Sequence, residues 1–308
     1  MGRGTSRTRR LAVILGVNVA LAGGQVVAGL VAHSTGLLSD AGHNITDVAG
    51  ITMSLVAVRF ALRPRSPARS FGYHRGTILA ALANAAIIAA VTVAIVAAAV
   101  ERLLHPRPVE GNLMVAVALG AFGVNAAAAL VVRERGRDLN MRSVALHMTA
   151  DAAASLVVAA AGALILVDSH LRWADPVASL AVGTLIIIEA YRMLRSSLGI
   201  LLESAPADVD LAALTGAMDA VPGVAEVHDL HVWSLSSEVR ALSAHIVVTG
   251  HPSLEEAQSI GDLVKSAVAG PFTIAHSTIE LECERCTDAE VDPCLMDSVG
   301  DARSSSTR

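Results

Sequence analysis

Six apolar segments, each long enough to cross a bilayer as a helix, constrain this sequence more than any other feature. They run Leu11–Val31, Leu37–Leu62, Thr77–Leu104, Gly111–Val132, Val144–Val167 and Ala174–Leu198. At 1.5 Å per residue, such runs of about 20–28 residues match a hydrocarbon core about 30 Å thick. Backbone polar groups in hydrocarbon must be satisfied within the segment, so each run predicts a helix. The connections Ala32–Gly36, His105–Glu110 and Asp168–Trp173 are short, which predicts a compact bundle. Only 17% of residues are charged, against about a quarter in soluble chains. With aromatics at 3%, the apolar content is mostly Ala, Val and Leu, which suits helices that pack closely.

Charge placement orients the bundle. Arg63, Arg65, Arg69 and Arg75 cluster between spans two and three, and Arg133, Arg135, Arg137 and Arg142 between four and five. The opposite connections hold Arg107 and Arg172, with Arg102 close by. Positive residues stay on the cytoplasmic side, so both termini and both Arg-rich loops are expected there. Residues 1–10, with Arg3, Arg7, Arg9 and Arg10, read as a basic cytoplasmic arm. No small-residue cleavage site follows a short apolar core, so the first run reads as a retained span rather than a signal peptide. The three cysteines, Cys283, Cys286 and Cys294, all lie near the C-terminus. They make no disulfide framework and point to a reducing compartment.

Two of the apolar runs carry the same interruption, His43-x-x-x-Asp47 and His147-x-x-x-Asp151. Residues four apart lie one turn above each other on one helix face. Each helix can therefore offer an imidazole nitrogen and a carboxylate oxygen to one point. Two such pairs supply the four N/O ligands that tetrahedral Zn²⁺ takes. Ionisable groups in hydrocarbon are costly, and a functional role is the default explanation. A hydrolytic zinc site would want His-Glu-x-x-His, which neither motif supplies. Asp40 and Ser39, one turn before His43, are lesser candidates, lining a water-filled entrance or bonding a neighbouring helix. Asn18, Gln25, Asn84 and Asn125 suit hydrogen bonds between helices. Asp175-Pro176 reads as an N-cap and first-turn proline opening the sixth span.

After Pro206 the composition becomes that of a soluble domain. Asp208–Val221 and Ser253–Ala269 read as helices, and Val224–Ser236, Val239–Thr249 and Thr273–Glu282 as strands. The order αββαβ predicts a small open sheet with helices on one face. Residues 283–308, rich in Ser, Asp and Arg, read as a flexible tail. The expected division is a basic arm at 1–10, a six-span domain at 11–204, a small domain at 205–282 and the tail.

The chain resembles the cation diffusion facilitator family, in its zinc-transporting branch. The likeness covers Leu11 to Glu282 and runs through Leu37-Leu38-Ser39-Asp40-Ala41-Gly42-His43, Phe71-Gly72-Tyr73-His74-Arg75 and Asn140-Met141-Arg142-Ser143. It continues with Asp175-Pro176 and with Val227-His228-Asp229-Leu230-His231-Val232-Trp233-Ser234-Leu235. The resemblance implies an all-α six-helix transporter domain in the cell membrane with a cytoplasmic α+β ferredoxin-like domain. It implies a homodimer that exports divalent metal, Zn²⁺ foremost, in exchange for protons. The transport site is then His43, Asp47, His147 and Asp151, already selected by spacing.

In the cytoplasmic domain the resemblance favours His228, His245 and Glu282 as ligands of a regulatory Zn²⁺, with His231, His276 and Glu280 as further candidates. Where some relatives place a bridging histidine this chain has Gln258, which weighs against a two-metal centre. Cys283-x-x-Cys286 could add thiolate ligands. The loop Pro64-Arg65-Ser66-Pro67-Ala68-Arg69-Ser70 lacks the Asp and His with which some relatives bind a further metal. Arg133-Glu134-Arg135-Gly136-Arg137-Asp138 stands where many relatives carry a His-rich loop. Neither an organic cofactor nor a nucleic-acid partner is expected, and the chain reads as a transporter, not an enzyme. Exporters of Cd²⁺, Co²⁺, Fe²⁺ or Mn²⁺, or a membrane-anchored metal sensor, are the alternatives.

Overall fold

The computed structural model describes residues 2–61, 66–135 and 139–284. Cys286, Cys294 and most of the expected tail lie outside the described residues, as do parts of both Arg-rich loops. Six long helices come first: α1 (Gly2–Val31), α2 (Thr35–Ala61), α3 (His74–Leu104), α4 (Gly111–Arg135), α5 (Leu139–Val167) and α6 (Ala174–Leu201). A short 3₁₀ turn, Ser169–Trp173, precedes α6, capped by the Asp168 carboxylate accepting from the His170 N–H. Helices α7 (Leu211–Asp219) and α8 (Leu254–Ala269) then alternate with strands β1 (Val224–Ser234), β2 (Arg240–Val248) and β3 (Ile274–Glu282). The chain divides into two compact units, Met1–Phe60 with Leu79–Arg195, and Ala61–Ile78 with Ser196–Arg308.

Helix ends depart from the apolar runs in one direction. Helix α1 starts at Gly2 rather than Leu11, α3 at His74, and α5 at Leu139. Helical hydrogen bonding continues from the apolar run into the polar residues before it, so hydropathy marks the apolar part and not the whole helix. By length and composition α3, the Gly111–Val131 part of α4, the Ala145–Val167 part of α5, and Ser169–Leu201 can each cross a membrane. Gly16–Val31 of α1 is a shorter apolar stretch. Over its described residues, helix α2, which carries Asp40, His43 and Asp47, is not among them.

The helical core is built largely from alanine: Ala28, Ala32, Ala118, Ala154, Ala161 and Ala178 pack around Leu37, Met114 and Val158. Without a hydrophobic driving force between helices, close van der Waals contact does this work, and small residues permit it. A Cβ at Gly162 on α5 would stand 2.9 Å from Val115 Cγ2 on α4, and one at Gly111 2.9 Å from Leu166 Cδ2. Glycine at both places lets α4 and α5 approach closely. Outward faces carry exposed Val27, Ile87, Leu119 and Leu185. Apolar both inside and out, these helices suit lipid surroundings.

Asp175 serves a different end from the one its position suggests. It lies inside the first turn of α6, and its carboxylate caps α2 instead. It accepts from Ser34 Oγ (2.5 Å), Thr35 N (2.8 Å), Thr35 Oγ1 (2.9 Å) and Gly36 N (3.0 Å). Arg102 of α3 stands 3.9 Å away and also donates to the His33 carbonyl. His33 adopts a left-handed φ of 51° to close the α1–α2 turn. A Cβ on Gly36 would sit 2.9 Å from Asp175 Oδ1, so the cap needs glycine there.

In the small unit β1 pairs antiparallel with β2, and β2 parallel with β3, in the order β1-β2-β3. Alternation along the strands sorts the side chains. Leu242, Ala244 and Ile246 of β2, with Ile279 and Leu281 of β3, pack with Leu214 and Met218 of α7 and Val264 and Val268 of α8. His245, Glu280 and Glu282 therefore belong to the opposite face. Helix α8 opens with a capping box, in which Ser253 accepts from the Glu256 N–H and the Glu256 carboxylate accepts from Ser253. These donors hold the Glu256 carboxyl below the usual carboxylate range. In the 66–78 segment, Arg75 pairs with Glu203 and the Arg69 guanidinium lies over the Tyr73 ring.

Asp175→Ala should remove the cap from α2 and strand Arg102. Loss of one partner from a buried charged pair costs about 3–5 kcal/mol. We expect a clear drop in the thermal unfolding midpoint of the detergent-solubilised protein, and a smaller drop for Asp175→Asn, which keeps an acceptor.

Candidate metal centre

Helices α2 and α5 run antiparallel, and this makes the two His-x-x-x-Asp motifs complementary. Read in opposite directions, each histidine meets the other helix's aspartate. His43 Nε2 lies 2.9 Å from Asp151 Oδ1, and His147 Nε2 lies 3.3 Å from Asp47 Oδ1. His147 Nε2 also stands 3.8 Å from Asp151 Oδ2, and the two imidazole rings meet edge-on at 6.1 Å between centroids. Ligand atoms of His43, Asp47 and Asp151 all fall within 4.8 Å of one another. The structure thus brings three of the four predicted ligands to metal-binding spacing, and His147 stands outside that group, against both carboxylates.

Access to this cluster is graded along the helices. The Asp151 and His43 side chains are 3% and 12% exposed, whereas Asp47 and His147 are 22% and 37% exposed. The cluster is closed toward the α1–α2 turn and opens toward the other end, where α2 finishes and α5 begins.

Next to the closed side sits a second polar layer. Asp40 is buried at 1% exposure, so it lines no open entrance. Its Oδ2 accepts from Gln25 Nε2 of α1 (2.5 Å) and from Ser155 Oγ of α5 (2.9 Å). Gln25 Oε1 in turn accepts from Asn44 Nδ2 (2.7 Å). Of the four in-span amides, Gln25 thus makes the expected bond between helices. Buried Asn125 leaves its Nδ2 without a partner among the described residues.

A further cluster occupies the open face of the sheet. His228 and His245 stand opposite each other on β1 and β2, and His245 pairs in register with Glu280 of β3. His228 Nε2 lies 3.0 Å from Glu282 Oε2, and His245 Nδ1 lies 2.8 Å from Glu282 Oε1. Two imidazoles converging on one carboxylate form a donor set that fits Zn²⁺.

Sequence reasoning did not single out Asp229. It has φ of 47°, and a bulge falls between His228 and His231. One extra residue reverses the alternation, so His231, three residues on from His228, returns to the same face. Asp229 Oδ1 then lies 2.9 Å from His231 Nε2, and Asp229 Oδ2 3.6 Å from His245 Nε2. Glu280 Oε2 stands 3.5 Å from His245 Nε2. The adjacent candidates in a strand-like motif were the available signal. His276 does not join; its ring meets Phe71 edge-on at 5.6 Å. Cys283 is exposed.

Comparison with known proteins agrees with this architecture. Residues 11–202 match the model of the cation efflux transmembrane domain, and residues 206–284 that of the cation efflux protein cytoplasmic domain. The zinc transporter ZitB of Escherichia coli is 35% identical over 91% of this chain and 89% of its own length. The metal cation efflux system protein CzcD of Cupriavidus metallidurans is 33% identical over 93% and 90%. A cadmium, cobalt and zinc/H⁺-K⁺ antiporter of Bacillus subtilis is 31% identical over 84% of each chain. Among solved structures, the metal-bound C-terminal domain of a CzcD transporter is 34% identical, covering 24% of this chain and 99% of its own, with a TM-score of 0.22. With the two family models matching residues 11–202 and 206–284 and these relatives aligned over most of its length, the chain belongs to the cation efflux family.

Proposed function

We propose that this protein exports Zn²⁺ from the cytoplasm in exchange for protons, through the cluster of His43, Asp47, His147 and Asp151. The carrying observation is the grouping of His43, Asp47 and Asp151, with His147 against both carboxylates, inside a helical bundle in a chain of the cation efflux family. The zinc and cadmium–cobalt–zinc transport named for its relatives supports the choice of cargo.

The chemistry follows from the donors. A neutral imidazole and a carboxylate bind metal only without their protons, so metal and protons compete for one site. Histidine ordinarily titrates near pH 6.5, inside the range where that competition is felt. Zinc entering from one side displaces protons; protons entering from the other displace zinc. Two nitrogen donors favour Zn²⁺, then Cd²⁺ and Co²⁺, over oxygen-preferring Mn²⁺. The arginine clusters support an orientation with the open, Asp47–His147 end of the site and both termini toward the cytoplasm. This arrangement suits loading from that side.

The cytoplasmic domain is read as a Zn²⁺-responsive dimerisation element. His228, His245 and Glu282 hold the ion, and Asp229, His231 and Glu280 flank it. A bound cation there would neutralise carboxylates gathered on one sheet face. Whole-chain homodimerisation is supported by the dimer element that the matched cytoplasmic family model describes.

Reconstituted in liposomes, the protein should accumulate Zn²⁺ under an imposed pH gradient, and Asp151→Ala should lose at least about tenfold in rate. Uptake kept by the variant would move the site elsewhere. His43→Asp, with three carboxylates and one imidazole, should shift competition among cations away from Zn²⁺ toward Mn²⁺; unchanged selectivity would remove His43 from the ligand set. Equilibrium dialysis of wild type against His245→Ala should show one Zn²⁺ fewer per protomer in the variant, with gradient-driven transport retained in part.

A further inference from the structure

Four buried side-chain atoms lack a hydrogen-bond partner among the described residues, and two of them are His43 Nδ1 and Asp40 Oδ1. Burying a polar atom unpaired is costly, and each such atom calls for an explanation. These two have complementary chemistry, a ring nitrogen and a carboxylate oxygen. They sit three residues apart on α2, hence one turn apart on the same face. Helical side chains lean back toward the N-terminus, which carries the His43 ring over the turn that holds Asp40.

Both groups are held by their other atoms. His43 Nε2 faces Asp151 Oδ1 at 2.9 Å, so the ring presents its second nitrogen away from the four-ligand cluster. Asp40 Oδ2 is fixed by Gln25 at 2.5 Å and Ser155 at 2.9 Å, and Asn44 fixes Gln25 at 2.7 Å. Helices α1, α2 and α5 thus jointly set the carboxylate's orientation. A carboxylate held this firmly, with one oxygen left over beside a candidate ligand, has more than a packing role.

We propose that Asp40 is a positioning residue for His43, accepting its Nδ1–H directly or across one water when Nε2 takes a divalent cation. The inference rests on the reading of His43 as a transport ligand. An imidazole that ligates through Nε2 carries its proton on Nδ1. A carboxylate on that proton fixes the tautomer, orients the ring and makes Nε2 a stronger donor. Asp40 does this for the ring nearest the closed end of the cluster. The other histidine, His147, is more exposed, and among the described residues it has no such counterpart: four residues further along α5, on the Asp40 side, stands Asp151, itself a candidate ligand. The two imidazoles are therefore unequal, one braced from behind and the other more exposed and held only at its Nε2 side.

The test uses full-length protein in detergent with ¹⁵N-labelled histidine, titrated with Zn²⁺ and followed at the His43 ring resonances, assigned by their loss in His43→Ala. Asp40→Asn is nearly isosteric and keeps an acceptor for Gln25 and Ser155. We expect its zinc affinity at His43 to fall about 10–100-fold. We also expect the Nδ1–H resonance of the zinc-loaded protein to move upfield, with the elution volume unchanged. Ser155→Ala loosens the carboxylate without removing it and should give a shift in the same direction and a smaller loss.

A folded Asp40→Asn with affinity within twofold of wild type and an unmoved resonance overturns the proposal. If Asp40→Asn does not fold, Ser155→Ala decides by the same resonance, and no movement there overturns it too. Wild-type zinc affinity in His43→Ala would remove His43 from the ligand set, a separate failure that takes this role with it.

Discussion

Everything in the helical unit follows from the cost of keeping ionisable side chains inside an apolar bundle. Helix α2 carries three carboxylate-dependent layers, and each is completed by another helix. At its N-terminus Asp175 of α6 satisfies the free N–H groups of Thr35 and Gly36. One turn further, Asp40 is held by Gln25 of α1 and Ser155 of α5. Beyond that, His43 and Asp47 meet Asp151 and His147 of α5. The helix that carries the most buried ionisable groups on this path is thus partnered by three others. Alanine and glycine elsewhere make this possible, because they let the backbones approach until short polar side chains can reach one another.

The two candidate metal clusters use the two periodicities of secondary structure. In the bundle, a spacing of four places His and Asp on one face of a helix, and antiparallel packing sets each against its opposite. On the sheet, a spacing of two places Glu280 and Glu282 on the face away from the helices, and the register brings His245 and His228 to them. The helical cluster is largely enclosed and more exposed at its Asp47–His147 end. The sheet cluster lies on an open face, with His231 49% exposed. Enclosure suits a group that must be reached from alternate sides; an open face suits exchange with the surrounding solution.

Much of this was legible in the sequence, where regular periodicity does the work. The apolar runs give six helices, the four-residue spacing gives the membrane cluster, and the αββαβ pattern gives the sheet. What escaped depends on departures from period or on long-range partners. Asp175 reads locally as a cap for its own helix, and only the fold brings it to Thr35, 140 positions away. Asp40 is polar and beside a histidine, which suggests an entrance, yet Gln25 and Ser155 bury it. Asp229 is no candidate in the sequence, and only a one-residue bulge brings it beside His231 and His245. No local pattern announces any of these, since each is decided by what packs opposite.

The Asp175 cap has a mechanical side. Four hydrogen bonds fasten the first turn of α2 to α6, so a tilt of α2 that preserves them pivots at that end. At 1.5 Å per residue, His43 lies about 12 Å along the lever from Thr35 and Asp47 about 18 Å. For one angle of swing, the arm carries Asp47 half as far again as His43. Under such a tilt the helix would act as a hinged jaw: the Asp47–His147 contact, the longer of the two cross-helix pairs, would part before the His43–Asp151 contact nearer the hinge.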